Sequence, residues 1–415
     1  MVDHDTIPDS PSVQLNDDLS FAIIESLQQP QPLLHHLNAD SSWLLQIPRP
    51  ASARRHGGRV YYNILVDPWL DGPQSDVASW FSRQWHATPS KVKSILEVEE
   101  LVMRVETFAR KARDMKEALE GPSLGGKRRK LSRGRRTLSS MAEVEDDDIW
   151  NGGSVIDVVA ISHEFTDHCH KETLLQLDRE VPVFAATNAF HLIKSWDHFH
   201  FVAEIPRLRG PAADYQVGSL PPLPEWLAIC RVEKEDDALY YHSALLFAFS
   251  IPPTHPDTTS TKTRTTSIGL HTPSSVSSKA DDEAVTPFVL YTPHGIHSSA
   301  VEILSSASPP LKALCLLHGL HDIFLRPTNQ LNLGGHNALA TQRILKADYW
   351  MPTHDEVKIG GGVVAWLLRR KIVSLEEALK TEAKHNADNG DNAGNDPLYT
   401  SYQDVNNGES KILEW

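Results

Sequence analysis

The stretch AISHEFTDHCHKETLLQL, residues 160–177, sets His163, Asp167, His168 and His170 in a short polar burst between two apolar runs. Imidazole nitrogens and carboxylate oxygens are the donors of four- and five-coordinate zinc sites, and a catalytic site keeps one position for water. His163 closes an apolar run, and Asp167-His168 lies where the chain turns towards a helix, so all three can face one cavity. The spacing His-x-Phe-x-Asp-His looks like a metal-binding motif in which one ligand has become phenylalanine, Phe165. The remaining ligands must then come from later strand ends. Several of the 21 histidines sit at the ends of apolar runs, among them His242, His294, His318, His336 and His354. An α/β protein places its site residues at such positions. The bland alternative is a set of unrelated core and surface histidines.

The surrounding sequence supplies elements able to hold these residues. SVIDVVAIS, 154–162, is a β-branched and nearly continuous apolar run, as expected of a central strand buried on both faces. SSWLLQIP and VYYNILVDPWLDG read as paired strands, the second ended by Asp67-Pro68. Residues 90–120 repeat apolar side chains every three or four positions from Ile95 to Leu119, which predicts one long amphipathic helix ended by Gly121-Pro122. TNAFHLIKSW reads as a short helix capped by Thr187 or Asn188. EWLAICRVE and ALYYHSALLFAFSI read as a hairpin. FVLYTP and KALCLLHGL predict strands, GGHNALATQRILKA a helix, DYWMPTHDEV a short strand ending at His354, and VVAWLLRRK a further helix. Alternation of strands and helices predicts α/β architecture.

Two stretches interrupt this pattern. GGKRRKLSRGRRTL followed by EVEDDD reads as a charged, solvated loop, with a nuclear localisation signal as the functional alternative for the basic run 127–136. Residues 252–286 are rich in Ser, Thr and Pro and read as a flexible loop. The expected organisation is a polar segment 1–32, one domain over 33–380 containing the insertions 90–150 and 252–286, and a polar tail 381–415.

Across 415 residues the chain is 40% hydrophobic and 23% charged, with a formal net charge of −14. That balance gives no global attraction to nucleic acid or to an anionic membrane. The three cysteines, Cys169, Cys230 and Cys315, lie far apart without CxxC pairing, which fits a reducing compartment. No leader pattern and no bilayer-length apolar run is visible. The expectation is a cytoplasmic protein, with the nucleus as the alternative.

The order of these motifs resembles the metallo-β-lactamase fold superfamily, and within it the branch of lactonase- and phospholipase-D-like hydrolases. NILVDPWLDG resembles the early strand ending in Asp-Pro, with Asp67 as the structural aspartate. ISHEFTDHC resembles the His-x-His-x-Asp-His loop. LYTPHG stands where the family has its turn with a bridging aspartate. GGHNALATQRILKADYWMPTHDEV resembles the late helix and the Pro-x-His strand, which makes His354 the last ligand. The likeness spans about residues 33–75 and 150–370, and it implies a four-layer αββα sandwich.

Two departures bear on the metal. Phe165 replaces a histidine ligand, and His294 replaces the bridging aspartate. By the resemblance, the first metal would keep only His163 and His242, the best candidate for the family's third histidine. The second would keep Asp167, His168 and His354, with His294 as a terminal nitrogen ligand. Neutral imidazole does not bridge two metals as carboxylate does. The resemblance therefore implies one divalent ion, zinc before manganese or iron, at a reduced site. Asp167 would also orient water, and His294 or His336 would donate to the leaving group or oxyanion. The implied function is a metal-dependent hydrolase of an ester, lactone or phosphodiester in a small or lipid-like molecule. Lys358, Arg207 and Arg209 are available for a phosphate. The alternative is a catalytically degenerate member that keeps the fold as a binding or scaffold protein.

Overall fold

A computed structural model describes residues 20–415 except position 21 and segments 55–57, 77–79, 121–152, 211–212, 235–239, 251–284, 326–328, 364–365 and 390–399. The basic run, the acidic run after it and nearly all of the Ser/Thr/Pro-rich stretch lie outside the described residues, as does most of the polar N-terminal segment.

One sheet has seven strands: β1 (Leu33–His36), β2 (Trp43–Pro48), β3 (Tyr61–Val66), β5 (Val158–Ile161), β6 (Val183–Ala185), β7 (Val202–Glu204) and β17 (Ser410–Ile412), with β17 on the β1 edge. The second has five: β8 (Leu227–Glu233), β9 (Ser243–Phe249), β10 (Thr286–Thr292), β11 (Leu311–His318) and β14 (Tyr349–Met351). Strands β3, β5, β6 and β7 run parallel, as do β10, β11 and β14. Two small sheets complete the set, β13 (Asn329–Asn332) with β12 (Asp322–Leu325) and β16 (Leu368–Lys371), and β15 (Ile359–Gly361) with β4 (Arg83–Trp85).

Alternation along the strands explains the layering. Ile64, Val66, Val158 and Ala160 point into a core shared with Ile229, Leu245, Phe247, Val289 and Tyr291 of the other sheet. Their neighbours Leu65, Val159 and Ile161 point the opposite way, against helix α1 (Ile95–Glu120), α2 (Lys171–Leu174) and α3 (Thr187–Lys194). Phe288, Leu290 and Leu316 face outwards from the second sheet against α4 (Gly335–Leu345) and α5 (Leu375–Asn389). Strands buried on both faces need apolar residues at every position, which is why these runs lack polar alternation. The result is the expected four-layer αββα sandwich.

Helix α1 is fixed to the first sheet by a buried carboxylate. Glu106 accepts the backbone N–H groups of Val60 and Tyr61, both at 2.8 Å. Three local expectations differ from the structure. VVAWLLRRK holds strand β16 instead of a helix, because LRRK pairs in full register with β12. The cap of α3 is Ala186, without a side-chain bond, in place of Thr187 or Asn188. The tail is built into the fold at both ends of its span. Helix α5 continues to Asn389, and Ser410–Ile412 pairs with β1 while Leu413 is buried.

Candidate metal centre

The carboxyl ends of β3, β5, β10 and β14 gather at one end of the sandwich, and each carries a residue into the same polar cluster. Asp67 follows β3 with a positive φ of 44°, and His354 follows β14 with a φ of 60°. Left-handed backbone in a non-glycine residue is sparse and concentrates at sites where surrounding structure holds it in place. Here the holding contacts are visible. Asp67 accepts Ser162 N at 2.7 Å, His168 Nδ1 at 2.8 Å, Tyr291 Oη at 2.8 Å and the Ser162 hydroxyl. His354 N donates to Asp40 O at 2.8 Å.

Two groups of donor atoms lie within 4.8 Å of one another: His163, His168 and His294, and Asp167, His168 and His354. His168 belongs to both. Its Nδ1 is held by Asp67, while its Nε2 is buried with no hydrogen-bond partner among the described residues. Burial lowers its pKa, but the Asp167 and Asp67 carboxylates outweigh burial and raise it. A carboxylate on one ring nitrogen with the other nitrogen left over is the usual second-sphere arrangement of a metal-binding histidine.

His294 has the same feature. Its Nδ1 lies 2.9 Å from Asn332 Oδ1, and its Nε2 is buried without a partner. Asn332 Nδ2 lies 3.0 Å from His354 Nδ1, so one amide addresses both rings. The bonds assign the hydrogens in this amide orientation. His294 donates from Nδ1 and keeps a lone pair on Nε2. His354 accepts at Nδ1 and carries its hydrogen on Nε2, which donates to Asp167 Oδ2 at 3.1 Å. In this orientation His294 presents a lone pair at Nε2 and His354 does not. Burial first, then the neighbouring imidazoles His163, His354 and His168, holds His294 well below the ordinary histidine pKa, which keeps that lone pair available.

His163 is in the cluster but committed elsewhere. Its Nε2 lies 2.8 Å from the Tyr241 carbonyl and its Nδ1 2.7 Å from Ser162 Oγ. A ring nitrogen facing a carbonyl carries hydrogen and is not a ligand until that contact breaks. Phe165 packs parallel to the His163 ring and edge-on to His294, filling with apolar surface the place where a further imidazole would stand.

Asp167 has its own cation. Lys358 Nζ sits 2.5 Å from Asp167 Oδ2 and 2.8 Å from Oδ2 of the buried Asp40. Burial opposes ionisation of Asp167, and Lys358, His168 and His354 outweigh it, holding the carboxyl well below the usual range.

The remaining expected residues lie apart from the cluster. His242 is buried beside it, with Nε2 3.2 Å from Leu331 O and its ring edge-on to His297. Its neighbour Tyr241 reaches the centre instead. His336 is exposed on the first turn of α4 and does not line the cavity, so the structure does not place it to act on a substrate there. His170 bonds Thr173 Oγ1, and Arg207 pairs with Glu233 away from the centre. Sequence reasoning missed Asp40, Asn332 and Tyr241. Asp40 sits in the β1–β2 turn with no motif around it, and Asn332 ends a short strand.

A cavity of about 500 Å³ opens onto this centre. Asp167, His294, Asn332, His354 and Lys358 form its floor, with Phe165, Tyr241, Ile323, Leu331, Val357 and Leu368 supplying apolar wall. The elements and the motif order together decide the architecture: two sheets between helix layers, with Asp67, the His163–His168 loop, His294 and His354 at the ends of successive strands. It is the architecture that the resemblance to the metallo-β-lactamase superfamily implies.

No known family profile matches the chain, and no curated protein matches it significantly. Among solved structures, a possible metal-dependent hydrolase from Veillonella parvula superposes on 92% of this chain and 99% of its own, at 10% identity and a TM-score of 0.45. An isothiocyanate hydrolase from Delia radicum gut bacteria covers 92% and 100%, at 10% identity and a TM-score of 0.39. The metallo-β-lactamase fold protein YhfI from Bacillus subtilis covers 92% and 99%, at 10% identity and a TM-score of 0.35. At these scores neither activity nor ligands transfer to this chain. No helix among the described residues is long and apolar enough to cross a membrane.

Proposed function

We propose that this protein is a metal-dependent hydrolase that works with one divalent ion, zinc before manganese or iron, on an uncharged ester or lactone. The observation that carries this reading is the pair of buried Nε2 atoms on His168 and His294, neither with a hydrogen-bond partner among the described residues, on two rings that belong to one group of candidate ligands whose donor atoms lie within 4.8 Å of one another. A buried polar atom without a partner costs free energy, about 1–3 kcal/mol each. Shared ligation removes that cost for both at once. Asp167 supports the pair with Oδ1, 3.7 Å from His168 Nε2, while its other oxygen is held by Lys358. His163 becomes a further ligand only by giving up the Tyr241 carbonyl.

An ion held there supplies a Lewis acid for a carbonyl and lowers the pKa of water towards neutrality. The chain's own residues do the rest. Asp67 fixes the tautomer and direction of the His168 ring, and Asn332 does the same for His294. Asp167 accepts a hydrogen bond from the attacking water and orients it. Phe165 and Tyr241 exclude bulk water from one side of the centre.

The wall chemistry supports an uncharged substrate over a phosphodiester. Among the described residues, Lys358 and Arg370 are the lysine and arginine lining the cavity, and both are engaged. Lys358 faces two carboxylates, and Arg370 Nη1 lies 2.8 Å from His321 Nδ1 and 3.3 Å from Asp355 O. Asp76 and Asp167 add negative charge to the same cavity. Among the described residues, a phosphate there would meet carboxylates without a free counter-cation.

A second reading, a non-catalytic member of the same fold, is favoured by one observation: His163 is tied off and Phe165 replaces its neighbour, leaving two competent imidazoles. A hydrolysis panel of esters, lactones and phosphodiesters separates the two. We expect turnover of an ester or lactone, falling by about 10²-fold or more in His294→Ala. A folded, metal-loaded protein that turns over no member of the panel establishes the second reading, and activity that survives His294→Ala removes His294 from the mechanism.

A further inference from the structure

The Asp167–His168–His354 group has the composition of a metal site, yet its centre is filled by the chain itself. Lys358 lies four residues after His354, in the loop leading to β15, and its side chain is 8% exposed. The ammonium stands 2.5 Å from Asp167 Oδ2, 2.8 Å from Asp40 Oδ2 and 3.1 Å from His354 Nε2. It also lies over the Trp69 ring, 5.3 Å from the ring centroid. A zinc ion bound by carboxylate and imidazole sits about 2.0–2.2 Å from each donor. The lysine nitrogen already takes up the Asp167 Oδ2 and Asp40 Oδ2 that such an ion would need, so an ion on the lysine's side of these donors would have to displace it.

We propose that Lys358 is a built-in cation that occupies a second metal position, limiting the centre to one ion and holding Asp167 in place beside it. Three features of the fold commit the lysine to that position. The Asp40 turn is brought there by the His354 N–H bond to Asp40 O and by Trp43 Nε1 on Thr353 Oγ1. The Asp167 backbone is pinned by Ser41 Oγ on its carbonyl at 2.7 Å. Both carboxylates are buried, and a buried carboxylate needs a counter-charge. With its hydrogen directed to Asp167 Oδ2, His354 Nε2 offers no lone pair to a metal, and the lysine is held by the two carboxylates and not by the ring. Lys358 is thus a positioning residue: it fixes which oxygen of Asp167 is left to face His168.

This inference deepens the one-ion reading, and its test is arranged to stand apart from it. Metal-stripped wild type and Lys358→Met are titrated with zinc alone, and bound ions per chain are counted at saturation together with the melting temperature. The wild type is expected to reach a ceiling of one ion even in excess zinc. Lys358→Met is expected to bind one ion more than wild type, held by the vacated Asp40 and Asp167 carboxylates. It should melt below wild type in chelator and gain more than wild type on adding zinc. Lys358→Arg, which keeps the charge, should match the wild-type count. If wild type binds no ion but Lys358→Met binds one, the hydrolase reading fails while the built-in cation stands. A second ion in wild type overturns the proposal, as does a folded Lys358→Met with no additional ion. Should that variant fail to fold, Lys358→Gln takes its place in the same titration, with the same expected extra ion.

Discussion

Replacing Asp67 by alanine is expected to cost about 3–5 kcal/mol of stability, the range for removing one partner of a buried charged pair. Four groups converge on this carboxylate, from the Ser162 backbone, the Ser162 hydroxyl, His168 and Tyr291. All are buried, so alanine leaves the Ser162 N–H and His168 Nδ1 without an acceptor and without water to replace it, while the Tyr291 hydroxyl falls back on Ser41 O at 3.0 Å and the Ser162 hydroxyl on His163 Nδ1 at 2.7 Å. The loss is a large part of the 5–15 kcal/mol typical of a domain. Asp67→Asn separates charge from backbone. Asparagine tolerates the left-handed conformation at φ 44° and keeps one acceptor oxygen, so it should cost clearly less than alanine. Urea denaturation of the three proteins checks this. An alanine variant within about 1 kcal/mol of wild type would show that the network is not what holds the strand ends together.

Acid should be the second large effect. His35, His36, His318 and His321 lie outside the centre, and all four have lowered pKa values, with burial as the largest cause. His35 is the clearest. It is buried between Ser410 Oγ at 2.6 Å and Gln46 Oε1 at 2.7 Å, and its pKa is lowered to about 4. The sign follows from the direction. An unfolded histidine titrates near 6.5, so between 6.5 and 4 the unfolded chain binds a proton that the folded chain refuses. Stability present above pH 6.5 is therefore lost as pH falls through that window, by about 3 kcal/mol for His35 alone. Because His35 sits on β1, its protonation also strikes the pairing of the C-terminal strand β17. Urea midpoints in chelator from pH 7.5 to 4.5 should fall steeply for wild type and less steeply for His35→Gln. Midpoints that stay level or rise towards pH 4.5 contradict this.

Much of this was legible in the sequence because it is local or periodic. Doubly buried strands announced themselves as unbroken apolar runs, and α1 as a three-to-four repeat from Ile95 onwards. Asp67, His163, Asp167, His168 and His354 were recognisable because each lies at the end of such a run. What was hidden is long-range. Lys358 and Asp167 meet across 191 positions, and no spacing near either residue encodes the meeting. Asp40 occupies an ordinary turn, and its role follows only from the backbone bond to His354. The tautomers of His294 and His354 depend on one amide, Asn332, which has no signature of its own. Those pairings shift the expected ion. The sequence placed the ion on Asp167, His168 and His354 with His294 as a terminal ligand, and of these the nitrogens without a partner among the described residues belong to His168 and His294.

The most direct test of a one-ion centre on His168 and His294 is elemental analysis of protein purified without chelator, beside His168→Ala/His294→Ala. About one divalent ion per chain, absent from the double variant, is the expected result. An ion retained by the double variant, or none in wild type after reconstitution with zinc, manganese and iron, contradicts it.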